Sequence, residues 1–121
     1  MKRIEQTIQK AVIQHLRRRK VDGVIFWHTD NNVGVSGPRG AVQGAIKKSL
    51  GVRAGVSDIL AFHRSKLFCL ELKAPGGRPT EEQLKFIGEV KSQGGFGVVA
   101  EGLDEAIRAL EFWGLVKGEA A

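Results

Sequence analysis

Residues 55–73 read Gly55-Val56-Ser57-Asp58-Ile59-Leu60-Ala61-Phe62-His63-Arg64-Ser65-Lys66-Leu67-Phe68-Cys69-Leu70-Glu71-Leu72-Lys73. Val56 to Phe62 and Leu67 to Leu72 are apolar runs of strand length. Arg64-Ser65-Lys66 leaves room only for a tight connection, so the stretch predicts a β-hairpin. Side chains two apart on a strand share a face. Glu71 and Lys73 therefore point one way, while Leu70 and Leu72 point the other, into a core. Pairing around the turn brings Asp58 beside Glu71 and Lys73. An exposed salt bridge on an edge strand would also place Glu and Lys two apart. The Gly-Val-Ser-Asp lead-in, the hairpin spacing and the Pro75-Gly76-Gly77 break after Lys73 weigh against that simpler reading.

Working outward, residues 4–19 predict a helix, with Ile4, Ile8, Ala11, Val12 and Leu16 on one stripe. The basic run Arg17-Arg18-Arg19-Lys20 suits its C-terminus. After an Asp22-Gly23 turn, Val24 to Trp27 predicts a strand. Residues 29–40 are a loop by composition, and residues 41–50 a short helix ending at Gly51. Thr80 opens a helix carrying Leu84, Phe86, Ile87 and Val90, stopped by Gly94-Gly95. Phe96 to Ala100 is a further strand. Residues 104–113 form the last helix, with Ala106, Ile107, Leu110 and Trp113 inward. The chain after Gly114, and residues 116–121 in particular, reads as a frayed tail. The order predicts one α/β domain over residues 1–121, a central mixed sheet flanked by helices.

Two carboxylates and an amine are the kit that phosphodiester hydrolysis needs. Asp58 and Glu71 supply hard oxygen ligands for Mg²⁺ or Mn²⁺, and the Leu72 carbonyl adds a neutral one. Such a cation makes water more acidic and stabilises charge on the leaving oxygen. Lys73 is placed to orient or help deprotonate the attacking water, or to stabilise transition-state charge.

These residues resemble the VRR-NUC domains of the PD-(D/E)XK nuclease superfamily. The likeness rests on Gly55-Val56-Ser57-Asp58, on Glu71-Leu72-Lys73, and on Gln83 in the following helix, and it runs from the first helix to about Gly102. Ser57 stands where the family usually has proline. The resemblance implies the PD-(D/E)XK fold and a Mg²⁺- or Mn²⁺-dependent DNA endonuclease of the stand-alone phage or bacterial type. Such proteins look similar to Holliday-junction resolvases, which act as homodimers on branched DNA. It also implies Asp58, Glu71, Lys73 and Gln83 as catalytic residues, and a first-helix glutamate, here Glu5, as a metal ligand beside Asp58 and Glu71. On the helical wheel Glu5 falls between Val12 and Leu16, inside the apolar stripe, where a charge needs a partner or a metal. In the first turn of a helix an acid also suits the dipole. Thr80-Glu81-Glu82-Gln83 equally fits a capping box, with Gln83 bonding back to Thr80.

The 121-residue chain carries a net charge of +6, with 42% hydrophobic and 26% charged residues. That balance excludes disorder and favours a polyanionic partner. Asn32, Arg39, Lys47, Lys48, Arg53 and Arg78 are the candidates for gripping DNA; for each singly, a solvated basic face is the alternative. His15, His28 and His63 read as structural. Cys69 is the single cysteine and reads as a buried, inert thiol. A disulfide within the chain and a CxxC zinc site are excluded. No apolar run approaches the roughly 18 residues of a membrane span, and the early polar residues argue against a signal peptide. An intracellular, cytoplasmic protein is expected. The resolvase likeness implies a homodimer, for which the last helix, with Phe112 and Trp113, is one candidate interface; core packing of those aromatics is the alternative. The competing function is a catalytically silent nucleic-acid-binding module.

Overall fold

A computed structural model describes residues 2–29 and 37–118, with the backbone alone for Lys2 and residues 37–40. The described residues form four helices and four strands: α1 (Lys2–Arg19), β1 (Ile25–His28), α2 (Gly37–Ser49), β2 (Ile59–His63), β3 (Lys66–Lys73), α3 (Glu81–Ser92), β4 (Phe96–Glu101) and α4 (Leu103–Phe112). The strands form one sheet in the order β1-β2-β3-β4. β1 and β2, and β2 and β3, pair antiparallel, whereas β3 and β4 pair parallel across the α3 crossover. The sheet is mixed, as expected.

The β2–β3 hairpin turns at Arg64 and Ser65, both at positive φ (51° and 65°). Left-handed pairs of this kind match the right-handed twist of the strands they join. Ile59 lies opposite Leu70, so Asp58, one residue earlier, falls level with Glu71. The strand begins at Ile59 and not at Val56: at Asp58 the side-chain Oδ2 takes the Leu72 N–H that a backbone carbonyl would take in a continued ladder, and Gly55 turns at φ 84°.

One face of the sheet carries Ile59, Ala61, Phe68, Leu70, Leu72 and Ala100. They pack against Ile8, Val12 and Leu16 of α1 and Ala106 and Leu110 of α4. Each buried Leu, Ile, Val or Phe side chain among them contributes roughly 1.5–3 kcal/mol. The opposite face carries Cys69, Glu71 and Lys73 and is covered by α3. Gly97 on β4 lets Ile87 approach closely: a Cβ there would lie 2.8 Å from Ile87 Cγ2. Burial pushes the Cys69 thiol up to about 11, which keeps it protonated and inert at neutral pH, as read from sequence.

Two expectations need correction. The stretch after Gly114 is tied down through residue 118. Leu115 and Val116 are buried, Val116 bridges to Lys20, and Lys117 N–H donates to the Arg19 carbonyl at 2.9 Å. The apolar pair Leu115-Val116 closes the end of the core, which a composition of Gly and charge around it disguises. The second helix begins at Gly37 and not at residue 41, with Pro38 in its first turn, where a missing N–H costs nothing. Trp113 packs its ring 5.4 Å from Phe68, while Phe112 is 88% exposed. Among the described residues no helix is long and apolar enough to cross a membrane.

Candidate active site

Asp58 is held from both sides. Its carbonyl accepts from Thr29 N–H at 3.0 Å and from His28 Nδ1 at 2.9 Å. A carbonyl only accepts, so His28 carries its proton on Nδ1. The Thr29 hydroxyl donates to the Ser57 carbonyl. On the other side, Asp58 Oδ2 accepts from Leu72 N–H at 2.8 Å. This bond extends the β2–β3 ladder by one side-chain rung beyond the last backbone pair. The N–H and C=O of one strand residue point to the same side, so the Leu72 carbonyl also faces toward Asp58.

Glu71 and Lys73 stand on the α3 face, as the strand alternation requires. Glu71 is 1% exposed and Lys73 9%. Lys73 Nζ lies 3.8 Å from Glu71 Oε2, and Gly102 N–H fixes the Lys73 carbonyl at 2.9 Å. Gln83 Nε2 donates to the same Glu71 oxygen at 3.1 Å. Glu71 Oε1 is buried with no hydrogen-bond partner. Burial raises the Glu71 carboxyl to about 9, and a side-chain hydrogen bond that the neutral acid shares with Asp58, followed by the Asp58 charge, pushes it the same way. The Lys73 ammonium opposes the shift, and Glu5 adds to it from a distance.

The arrangement fits a hard divalent cation. A buried carboxylate oxygen lacking a partner costs roughly 1–3 kcal/mol or more for a charged group, and a cation beside Asp58 would satisfy it. The available donors are all oxygens, as Mg²⁺ and Mn²⁺ prefer, and Mg²⁺ keeps several waters of its own. The described residues form no cluster of three or more acidic, His or Cys side chains able to hold a metal. Glu5, half-buried in the first turn of α1, thus reaches the site through its charge and does not complete a third carboxylate there.

Gln83 forms the capping box and also reaches Glu71. Its Oε1 accepts from Thr80 N–H at 2.8 Å, its own N–H donates to the Thr80 hydroxyl, and its Nε2 reaches Glu71. The basic candidates separate. Arg53 forms an ion pair with Glu89 and lies over the Phe86 ring, both on α3 after Gln83. Lys48 and Arg78 are exposed, and Lys47 is half-buried on α2. Asn32 and the Arg39 side chain lie outside the described residues. Sequence reasoning read His28 as structural, which its bond to the Asp58 carbonyl fits, but did not place it beside Asp58, and it passed over Thr29. Their contacts with Asp58 and Ser57 depend on β1 lying beside β2, which no local pattern announces. Ser57 is fully buried with its hydroxyl unpartnered.

No protein-family model matches the chain, and no curated protein matches it. Among solved structures, it is similar to one described as a VRR_NUC domain protein. The two superpose with a TM-score of 0.73 at 22% identity, over 95% of this chain and 97% of that one. At that identity the likeness shows the fold, and the fold agrees with the one the sequence resemblance implied.

Proposed function

We propose that the chain is a divalent-metal-dependent endonuclease that hydrolyses the phosphodiester backbone of DNA. The observation that carries this reading is the convergence of Asp58, Glu71 and Lys73 on one sheet end, with Glu71 Oε1 buried and unpartnered. The similarity to a VRR_NUC domain protein across the whole fold supports it.

In this reading Asp58, Glu71 and the Leu72 carbonyl hold Mg²⁺ or Mn²⁺, with Glu5 contributing negative potential from α1. The cation supplies a Lewis acid that activates water near neutral pH and offsets charge on the leaving oxygen. Lys73, held by the Gly102 bond to its carbonyl, presents its ammonium beside Glu71. There it orients the attacking water and stabilises negative charge developing on the phosphate. Gln83 holds Glu71 Oε2. Lys47, Lys48 and Arg78, with Arg39, bind the DNA backbone.

Branched DNA is the proposed substrate and a homodimer the proposed assembly, both from the resemblance to junction resolvases. Two coordinated nicks need two active sites facing one substrate, which two-fold symmetry provides. The test incubates the protein with four-way-junction, flap, single-stranded and duplex DNA in Mg²⁺, Mn²⁺ or EDTA, beside Asp58→Ala. Metal-dependent cutting absent from the variant is the expected result, with paired symmetric cuts in the junction. DNA binding that ignores metal, with no cutting of any substrate, would instead establish the silent binding module.

A further inference from the structure

We propose that the N-terminal cap of α3 is the device that aims Glu71 at a cation, with Thr80 as a positioning residue acting through Gln83. The inference rests on the metal-holding reading of the site and assigns that site's orientation to a specific backbone group.

The argument starts from donor and acceptor identity. A backbone N–H only donates, so the Gln83 atom 2.8 Å from Thr80 N is the side-chain oxygen. An amide carries its oxygen and nitrogen on opposite prongs. Once the oxygen is fixed on Thr80, the NH₂ prong has to face Glu71, and it does so at 3.1 Å from Oε2. The Thr80 hydroxyl meanwhile accepts from Gln83 N–H at 3.2 Å, so the residue is held at both backbone and tip. A flipped amide would set its nitrogen against the Thr80 donor and its oxygen against Glu71, losing both bonds.

The consequence falls on Glu71. Its Oε2 is engaged by Gln83 and by Lys73. Its Oε1, buried and without a partner, is the oxygen left for a ligand. The cap itself is seated against the other half of the site. Gly55 packs so tightly on the first turn of α3 that a Cβ there would come within 2.4 Å of the Glu82 carbonyl carbon. The segment leading to Asp58 and the cap that steers Glu71 are therefore in direct contact. Partners that orient a ligating side chain in this way typically carry 10–100-fold in metal affinity.

The test compares Thr80→Pro with Thr80→Ala. Thr80 has φ −78°, which proline adopts without strain. Both variants lose the hydroxyl that caps the helix, but only proline loses the N–H that fixes the Gln83 amide. Mn²⁺ affinity is measured by calorimetry, together with the thermal midpoint of the metal-free protein and cleavage of DNA. Thr80→Pro should bind Mn²⁺ roughly 10-fold or more weakly than Thr80→Ala, although both melt below the wild type. Gln83→Met, which removes the amide at similar volume, should show at least the same loss, and it carries the test if the proline variant does not fold. Equal Mn²⁺ affinity in the two Thr80 variants, or wild-type affinity in Gln83→Met, would overturn the assignment. A wild-type protein that neither binds Mn²⁺ nor cuts DNA would overturn the metal-holding reading first, and this inference with it.

Discussion

Replacing Glu71 by Gln should make the metal-free protein more stable, and increasingly so as the pH rises. Folding buries the carboxyl and lifts it from 4.5 to about 9. Between those values the unfolded chain has released a proton that the folded chain still holds. The stability contributed by the neutral acid is therefore complete below pH 4.5 and is lost progressively as the pH climbs toward 9. The slope is roughly 1.4 kcal/mol per pH unit, a ceiling on the order of 5 kcal/mol by pH 8. Relaxation around the charged form takes back much of that, leaving about 1–2 kcal/mol, or about 4–8 °C in a domain of this size. Glutamine has nearly the same volume, keeps an oxygen for Gln83 and does not ionise. The assay is thermal unfolding of both proteins in EDTA at pH 5, 6.5 and 8. The curves should lie close together at pH 5 and separate upward, with the variant higher. Saturating Mn²⁺ should then raise the wild type and leave the variant nearly unmoved, because the cation binds the charged form. Parallel stability at every pH, or a wild type that gains on the variant as the pH rises, would refute the reasoning.

Lys73→Ala should lower DNA cleavage by about 10²–10⁴-fold in a steady-state assay, while the circular dichroism spectrum and DNA binding persist. Asp58→Asn keeps an oxygen for Leu72 N–H and should melt near the wild type, whereas Asp58→Ala strands that donor and should lose about 1–3 kcal/mol in urea titration. Both should fail to cut DNA. Ser57→Ala deletes a buried hydroxyl with no partner and should raise stability by about 1 kcal/mol in the same titration. Gly55→Ala meets both a positive φ and the Glu82 backbone, so thermal unfolding should register a loss above about 1 kcal/mol.

The hairpin and its acids were legible because they depend on short-range geometry. Two-residue alternation placed Glu71 and Lys73 together, and one tight turn carried Asp58 across to them. The apolar stripe of α1 and the cap at Thr80 are local in the same sense. Sheet order is not local. That β1 lies beside β2, and β4 parallel beside β3, is decided by burial of whole faces against α1, α3 and α4. His28 and Thr29 enter the site only through that pairing. The distance of Glu5 from Asp58 and Glu71 is likewise a matter of how α1 crosses the sheet, and helical spacing sets only the face it occupies. Arg53 shows the limit for charges: its sequence context reads as a phosphate grip, and only the fold shows it paired with Glu89 and lying over the Phe86 ring.

The docking of residues 115–118 against the end of α1 sets an order of events during synthesis. Arg19 bonds to carbonyls 98 and 99 residues later, and the apolar stripe of α1 is covered by β3 and α4. α1 thus leaves the ribosome before every element that buries it. Until α4 has emerged, Ile8, Val12 and Leu16 have only the hairpin face to pack on, and the helix that bears Glu5 is held on one side alone relative to Asp58 and Glu71. Assembly of the site awaits β4 and α4, and a nascent fragment ending before them holds the hairpin with its three key residues but not the frame that aligns them.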